Sequence, residues 1–299
     1  MILCVAANPS IDRLFDVDRL EPGEIHRPAR FAQVPGGKGL NVARAAASLG
    51  GDVRAAALLG GHAGRWMAEA LAGEGIPLEA AWAEAETRSS LSVGGHEAGL
   101  TEFYEYGHPI TPAEWQGFAD VVASLAPTAA WVTISGSLPP GAPADGYLPM
   151  IAAGRVAFDS REAGLEARPA VVKLNAEEAS TVTRRSTVDA AGAASAAQAL
   201  HEATGGAAIV TRGGDGAVLV TRDGGAFSGN APAQGRYPVG SGDAFLAGLV
   251  VALDRGTGWD EALAAAIGAG SANAVMPGAG VLDRGRAEEL AAAVEISEV

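Results

Sequence analysis

Short apolar runs alternate with alanine-rich stretches of helical length along almost the whole chain. The runs Ile2 to Ala7, Val53 to Leu59, Ala130 to Ser135, Val156 to Asp159, Ala170 to Leu174, Ala207 to Thr211 and Ala217 to Thr221 have the length and composition of buried strands. Helices are predicted over Leu40 to Leu49, Gly64 to Glu74, Pro112 to Leu125, Val188 to Thr204, Ala244 to Leu253, Asp260 to Ala272 and Arg286 to Val294. Strands taking turns with helices are the pattern of a parallel sheet covered by helices. Two stretches break the alternation. Residues Asp12 to Val34, and Arg88 to Tyr106 with its runs Ser89-Ser90-Leu91-Ser92-Val93 and Thr101-Glu102-Phe103-Tyr104, read as β-rich excursions able to form a flap over a site. No internal repeat, disordered tail or charge block interrupts the pattern.

Composition narrows the class. A chain of 299 residues, 48% hydrophobic and 19% charged, is long enough for one large α/β domain or a domain with an insertion. Its formal charge of −14 lacks the basic footprint of a nucleic-acid binder or of a protein that binds anionic membranes. An anionic substrate would have to be held by a local cationic pocket against the overall field. The single cysteine, Cys4, sits in an apolar run as a small core residue. No apolar stretch approaches the ~20 residues of a membrane span, and the first run lacks the basic leader of a signal peptide. A soluble cytoplasmic protein is the expectation.

The chemistry-bearing residues fall in four clusters. Pro238-Val239-Gly240-Ser241-Gly242-Asp243-Ala244 places a small-residue turn and a carboxylate where an apolar helix begins, so unpaired N–H groups and the helix dipole face an anion. Asp243 beside that anion is placed to take a proton from an attacking hydroxyl, while capping the helix is the plainer alternative. The motif alone leaves the two even. Pro35-Gly36-Gly37-Lys38-Gly39-Leu40-Asn41 is a second glycine turn entering a helix. Lys38 is not part of a Walker A loop, because Gly39 and Leu40 follow it. The chain has only two lysines, Lys38 and Lys173, and both adjoin polar motif residues. In Lys173-Leu174-Asn175-Ala176-Glu177-Glu178, Asn175 and Glu178 have capping-box spacing; the alternative puts them near Mg²⁺, an ion that prefers oxygen ligands. Thr211-Arg212-Gly213-Gly214-Asp215-Gly216 joins two strands, and a plain hairpin turn is the reading it carries by itself.

Together these clusters resemble the signatures of the PfkB (ribokinase-like) carbohydrate kinases: GGKGLNVARA and VGSGDAFLAG, with KLNAEE between them similar to an Asn-x-x-Glu magnesium motif. The resemblance runs from Asn8 to about Gly280. Asn8-Pro9-Ser10-Ile11-Asp12, Thr87-Arg88 and Ser135-Gly136-Ser137-Leu138-Pro139-Pro140-Gly141 look most like the phosphosugar branch, which contains 1-phosphofructokinase, tagatose-6-phosphate kinase and the minor 6-phosphofructokinase. It implies a single α/β domain over residues 1–299, a three-layer α/β/α core with a mostly parallel central sheet, and a small β-sheet lid from the excursions at about 12–34 and 88–106. It further implies ATP-dependent transfer to a hydroxyl of a phosphorylated ketohexose, fructose 1-phosphate first and tagatose 6-phosphate next, with Mg²⁺. By resemblance Asp12, Gly36, Gly37 and Asn41 hold sugar hydroxyls, and Lys38, Arg88 and Ser137 meet the sugar or its phosphate. Asp243 is the base, and Gly240, Ser241 and Gly242 form the anion hole. Lys173, Asn175, Thr211, Gly213 and Gly216 lie on the nucleotide side, Glu178 acts on Mg²⁺, and the lid implies a homodimer.

Some positions depart from the branch. Ser90 and Ser92 stand where Asn and a polar or basic residue are usual, Leu174 where Pro is, and Tyr237 where Asn or a small polar residue is common. Fewer strong groups then face a substrate phosphate, which keeps an unphosphorylated sugar or a nucleoside open as acceptor. A non-catalytic sugar-phosphate or nucleotide binder is the alternative of another class, disfavoured because a binder has no use for a base at an anion hole.

Overall fold

Successive residues of the first strand pack into different cores: Ile2, Cys4 and Ala6 join one cluster, Leu3 and Val5 another. Val53, Ala55, Ala57 and Leu59 likewise face one side while Ala56 and Leu58 face the other. Side chains alternate along a strand, so strands apolar at every position need cover on both faces. That requirement produces three layers.

In the computed structural model, which describes residues 1–95, 99–162 and 164–299, the first half of the chain runs β1 (Ile2–Ala6), β2 (Ser10–Asp16), β3 (Arg30–Gly36), α1 (Lys38–Ser48), β4 (Val53–Gly60), α2 (Gly61–Gly73), β5 (Leu78–Ala83), β6 (Arg88–Gly95), β7 (Gly99–Tyr104), α3 (Pro112–Leu125) and β8 (Trp131–Ser135). It continues α4 (Leu148–Ala152), β9 (Val156–Asp159), β10 (Val171–Asn175), α5 (Ala176–Thr183), α6 (Ala190–Thr204), β11 (Ala207–Thr211), β12 (Ala217–Val220), β13 (Ala226–Gly229), α7 (Ser241–Asp254), α8 (Trp259–Ala274), α9 (Arg284–Ala292) and β14 (Ile296–Glu298). The large sheet has ten strands in the order β14-β13-β12-β11-β10-β9-β8-β1-β4-β5. It is parallel from β5 to β11 and antiparallel through β12, β13 and β14. Residues of α1, α2, α7, α8 and α9 fill the core on one face, and those of α3, α4 and α6 fill cores on the other. The predicted α/β class and mostly parallel sheet are the observed ones.

The excursions form a second sheet of four strands, β3-β2-β6-β7. Its outer pairs are antiparallel and its central pair, β2 with β6, is parallel. The strands begin earlier than the predicted excursion, at Ser10, and residues 96–98 of the Arg88 to Tyr106 stretch lie outside the described residues. Register aligns Asp12 with Val34 and Ser90, and Ser90 with Tyr104, so one row of side chains crosses the sheet on a single face. Cys4 is fully buried. Among the described residues no helix is long and apolar enough to cross a membrane.

Candidate active site

Every predicted site residue except Gly36 lines one cavity of about 1170 Å³ between the two sheets. It lies at the carboxyl ends of the parallel strands, where open α/β sheets bind ligands. Gly36 acts from behind: a Cβ there would sit 2.1 Å from Asp12 Oδ2 and displace that carboxylate.

The turn before α7 depends on glycine. Gly240 is the N-cap residue with φ 82°, and a Cβ on it would lie 2.6 Å from the Gly280 amide nitrogen. No side chain caps this helix; the Ser241 N–H turns back to the Pro238 carbonyl at 3.1 Å, and the Gly242 and Asp243 N–H groups of the first turn are left to meet a ligand. Asp243 lies within the first turn and is buried. Its Oδ2 accepts from Asn41 Nδ2 at 2.9 Å instead of capping the backbone, which decides against the plain capping alternative. Burial pushes its carboxyl up to about 7 and Asp159 adds to the push, against the pull of Lys38, Lys173 and the Asn41 hydrogen bond. A carboxylate poised there is matched to proton transfer near neutral pH.

Beneath the turn lies a buried charge cluster that sequence reasoning missed at its centre. Asp159, the last residue of β9, is wholly buried. Its Oδ2 accepts from Lys173 Nζ at 2.8 Å and its Oδ1 from Lys38 Nζ at 3.2 Å. Burial alone would raise the Asp159 carboxyl, yet the two lysines and their hydrogen bonds hold it below the ordinary carboxylate range. Lys38 is in turn raised above the ordinary ammonium value, chiefly by Asp159. Its Nζ also lies 3.4 Å from Glu178 Oε1. One carboxylate therefore sets two cations side by side at the cavity floor.

The opposite wall is built by the small sheet. Asp12 Oδ1 accepts from Ser10 Oγ at 2.5 Å and Ser90 Oγ at 2.7 Å, and its Oδ2 accepts from the Gly37 N–H at 3.1 Å. Ser90, read from sequence only as a departure, is thus a partner of Asp12. Arg88 donates from Nε to Asn8 Oδ1 at 3.2 Å and from Nη2 to the Asn8 carbonyl at 3.1 Å. Asn8 Nδ2 donates to Ser137 Oγ at 3.1 Å, so Asn8, not predicted as a site residue, joins the two groups that were.

On the remaining side, Asn175 and Glu178 make both hydrogen bonds of a capping box, at 2.8 and 3.0 Å, so their structural reading holds. Glu178 keeps its other oxygen on the cavity side, toward Lys38. Thr211 ends β11, and Gly213 (φ 58°) and Gly216 (φ 87°) lie in the tight connection to antiparallel β12; a Cβ on Gly216 would sit 1.9 Å from the Gly229 carbonyl. Among the described residues no group of three or more His, Cys, Asp or Glu side chains forms a metal cage.

The chain is similar to known proteins along most of its length. The profile of the pfkB family carbohydrate kinases matches residues 3–283. A 1-phosphofructokinase of Haloferax volcanii is 31% identical over 269 residues, covering 88% of this chain and 87% of that protein. A 1-phosphofructokinase of Xanthomonas campestris pv. campestris is 34% identical, covering 84% and 83%. Among solved structures, phosphofructokinase-2 of Escherichia coli in complex with substrates and products superposes with a TM-score of 0.89 at 26% identity, covering 98% of each chain.

Proposed function

The chain belongs to the pfkB family of carbohydrate kinases, and we propose that it phosphorylates the free primary hydroxyl of fructose 1-phosphate at the expense of ATP, giving fructose 1,6-bisphosphate. The ATP-dependent sugar kinase activity follows from the family and its relatives. The acceptor rests on the two relatives named 1-phosphofructokinase together with a cationic arm, Arg88, reaching over the cavity from the small sheet.

The observation that carries the reading is Asp243: a buried carboxylate at an uncapped helix start, held by Asn41, its carboxyl pushed up by burial to about 7. Asp243 takes the proton from the attacking hydroxyl, and the N–H groups of the Gly240, Ser241 and Gly242 turn receive the charge of the moving phosphoryl group. Lys38 and Lys173 add positive charge at the same floor, in keeping with a reaction that asks the protein mainly to align groups and neutralise charge. Asp12, Gly37 and Asn41 hold the sugar hydroxyls; Arg88 and Ser137 hold its phosphate. Asn175, Thr211, Gly213 and Gly216 face the nucleotide. For Mg²⁺, which keeps most of its waters and takes one or two carboxylates from a protein, the donor set fits through Glu178 Oε1, a hard oxygen that makes a long 3.4 Å contact to Lys38. Bound there, the ion would neutralise phosphate charge.

The face of the small sheet turned from the cavity carries Phe31 and Phe103, more than half exposed, with Phe31 against Phe15 at 5.6 Å between ring centroids. We propose that this face pairs two copies as a homodimer.

The test is ADP release with fructose 1-phosphate, fructose 6-phosphate, tagatose 6-phosphate, ribose and nucleosides as acceptors. The expected order puts fructose 1-phosphate first, and ADP release with none of them despite saturable binding would remove the kinase reading. Asp243→Asn is expected to bind both substrates while turnover falls by roughly two to four orders of magnitude.

A further inference from the structure

Arg44 lies one turn along α1 from Asn41, is buried, and does not line the cavity. A guanidinium has five N–H donors and no acceptor, and here all five directions meet an oxygen. Nε and Nη2 donate to the two oxygens of Glu74 at 2.9 and 3.3 Å. Nη2 also donates to the Pro35 carbonyl. Nη1 donates to the Ala279 carbonyl at 3.1 Å and to Asn41 Oδ1 at 3.4 Å.

Three of these partners bear on the site. Pro35 directly precedes Gly36 and Gly37, and Ala279 directly precedes Gly280, the residue whose amide closes on Gly240. The third is the Asn41 amide. Because Arg44 only donates, the Asn41 atom facing it has to be the oxygen, which turns Nδ2 toward Asp243 Oδ2 at 2.9 Å and Asp12 Oδ2 at 3.5 Å. A flipped amide would set N–H against N–H on one side and oxygen against carboxylate on the other.

We propose that Arg44 is a positioning residue of the phosphoryl transfer, locking the Asn41 amide as a donor to Asp243 and tying both glycine turns together from behind the cavity. This rests on Asp243 being the base. Without the lock the amide is free to rotate, and Asp243 loses the Asn41 hydrogen bond that favours its ionised form. The charged groups facing Asp243 from the other elements, Lys38 on α1, Asp159 on β9 and Lys173 on β10, are left in place by a change at Arg44.

The experiment compares kcat, KM and the pH dependence of kcat for the full chain and for Arg44→Lys, which keeps a charge but not the fork. Expected are a kcat lower by about 10- to 100-fold, as for a misplaced reacting group, a KM for ATP within about twofold, and an acid limb moved to higher pH. A folded Arg44→Lys with the parent's kcat and acid limb overturns the proposal. Glu74→Gln leaves Arg44 its bonds to Asn41, Pro35 and Ala279, so kcat and the acid limb should stay while thermal stability falls; an equal loss of kcat in this variant assigns the effect to helix packing and also overturns it. Should Arg44→Lys not fold, Asn41→Asp keeps an acceptor for Arg44 and removes the donor to Asp243. Its acid limb should move up, and an unmoved limb in the folded variant overturns the proposal. Undiminished turnover in Asp243→Asn would instead sink the base assignment itself, a result distinct from an active Arg44→Lys beside an inactive Asp243→Asn.

Discussion

The two walls of the cavity hold their polar groups in different ways. On the large-sheet side Asp159, Lys173, Asp243, Asn41 and Arg44 are each no more than 6% exposed, and each is bonded to another charged or amide group. On the small-sheet side Tyr104 is 58% and Tyr106 95% exposed, and Glu102 accepts from its lid neighbours Ser92 and Tyr104. Charges in a dry site act strongly and need no reorganisation when the reaction occurs, whereas side chains on an open strand adapt cheaply to a ligand. Under the proposed function, this contrast puts the chemistry on the buried wall and the choice of sugar on the lid. Changes on the buried wall should therefore reach kcat, stability and pH dependence, and changes on the lid should reach KM for the sugar.

The largest effect is expected at Asp159. Asp159→Asn leaves the buried Lys173 ammonium without its counter-charge and Lys38, about a third exposed, with only the 3.4 Å contact to Glu178, which should destabilise the fold by about 3–5 kcal/mol and lower kcat roughly 100-fold or more by disordering the cations at the phosphoryl site. Relieved of Asp159 and exposed to the freed lysines, the Asp243 carboxyl should fall toward its ordinary range, so the acid limb moves to lower pH, opposite to Arg44→Lys. Unfolding curves and pH–rate profiles check both, and a variant changed only in KM for the sugar would erase the division between the walls.

Next in size is the pH effect itself. Asp243 has to be ionised to take the proton, so kcat/KM, which reports the free enzyme, should rise with a midpoint near 7 and fall about tenfold per unit below it, to about 100-fold below the plateau at pH 5. The stability sign is the reverse. A folded-state pKa raised above the unfolded one means the folded chain holds its proton longer, so this carboxyl's contribution to stability falls as pH rises from ordinary carboxylate values through about 7. Asp243→Asn should then be more thermostable than the parent at pH 8 and gain little at pH 5. Asp159, held low, works the other way, its stabilisation present above ordinary carboxylate values and lost on acidification.

On the lid, Arg88→Ala should raise KM for the sugar phosphate about 10- to 100-fold, the worth of a charge-assisted hydrogen bond or two, with kcat and KM for ATP little changed. A loss confined to kcat would place Arg88 with the buried wall.

The buried wall was also the less legible of the two. Glycine turns and Asp243 announce themselves by spacing within a few residues, and Asp12 and Arg88 by motif. Asp159 has no such spacing. Its strand was predicted to the last residue, Val156 to Asp159, but its lysines come from β10 and from the start of α1, and only the parallel order of the sheet brings them together. A charge ending an apolar run at the carboxyl edge of a parallel sheet was the signal available. Arg44 lies inside the GGKGLNVARA signature, but its partners Pro35, Glu74 and Ala279 come from three separate segments that only the fold brings together. The unpredicted strands were those with weak patterns: Leu78–Ala83, half alanine at the sheet edge, and the four- and three-residue Ala226–Gly229 and Ile296–Glu298, which neighbouring strands recruit rather than their own sequence.

The smallest expected effect lies where the two walls meet. Asp16, at the end of β2, accepts from Arg236 Nη2 at 2.8 Å and from the Tyr237 hydroxyl at 3.2 Å, tying the lid to the segment that leads into the Gly240 turn. Tyr237 is also one of the positions at which the chain departs from the branch pattern. Tyr237→Phe removes the hydroxyl alone and leaves the backbone bond from Tyr237 N–H to the Ala274 carbonyl and the Arg236 pair intact. The loss of one partly exposed hydrogen bond is worth about 0.5–1.5 kcal/mol, and if the tie serves the lid it should appear as a KM for the sugar raised about two- to fivefold, with kcat and the acid limb unmoved. If kcat falls instead, Asp16 is holding the anion-binding turn through Tyr237, and the lid strand then belongs to the machinery that this comparison assigns to the buried wall.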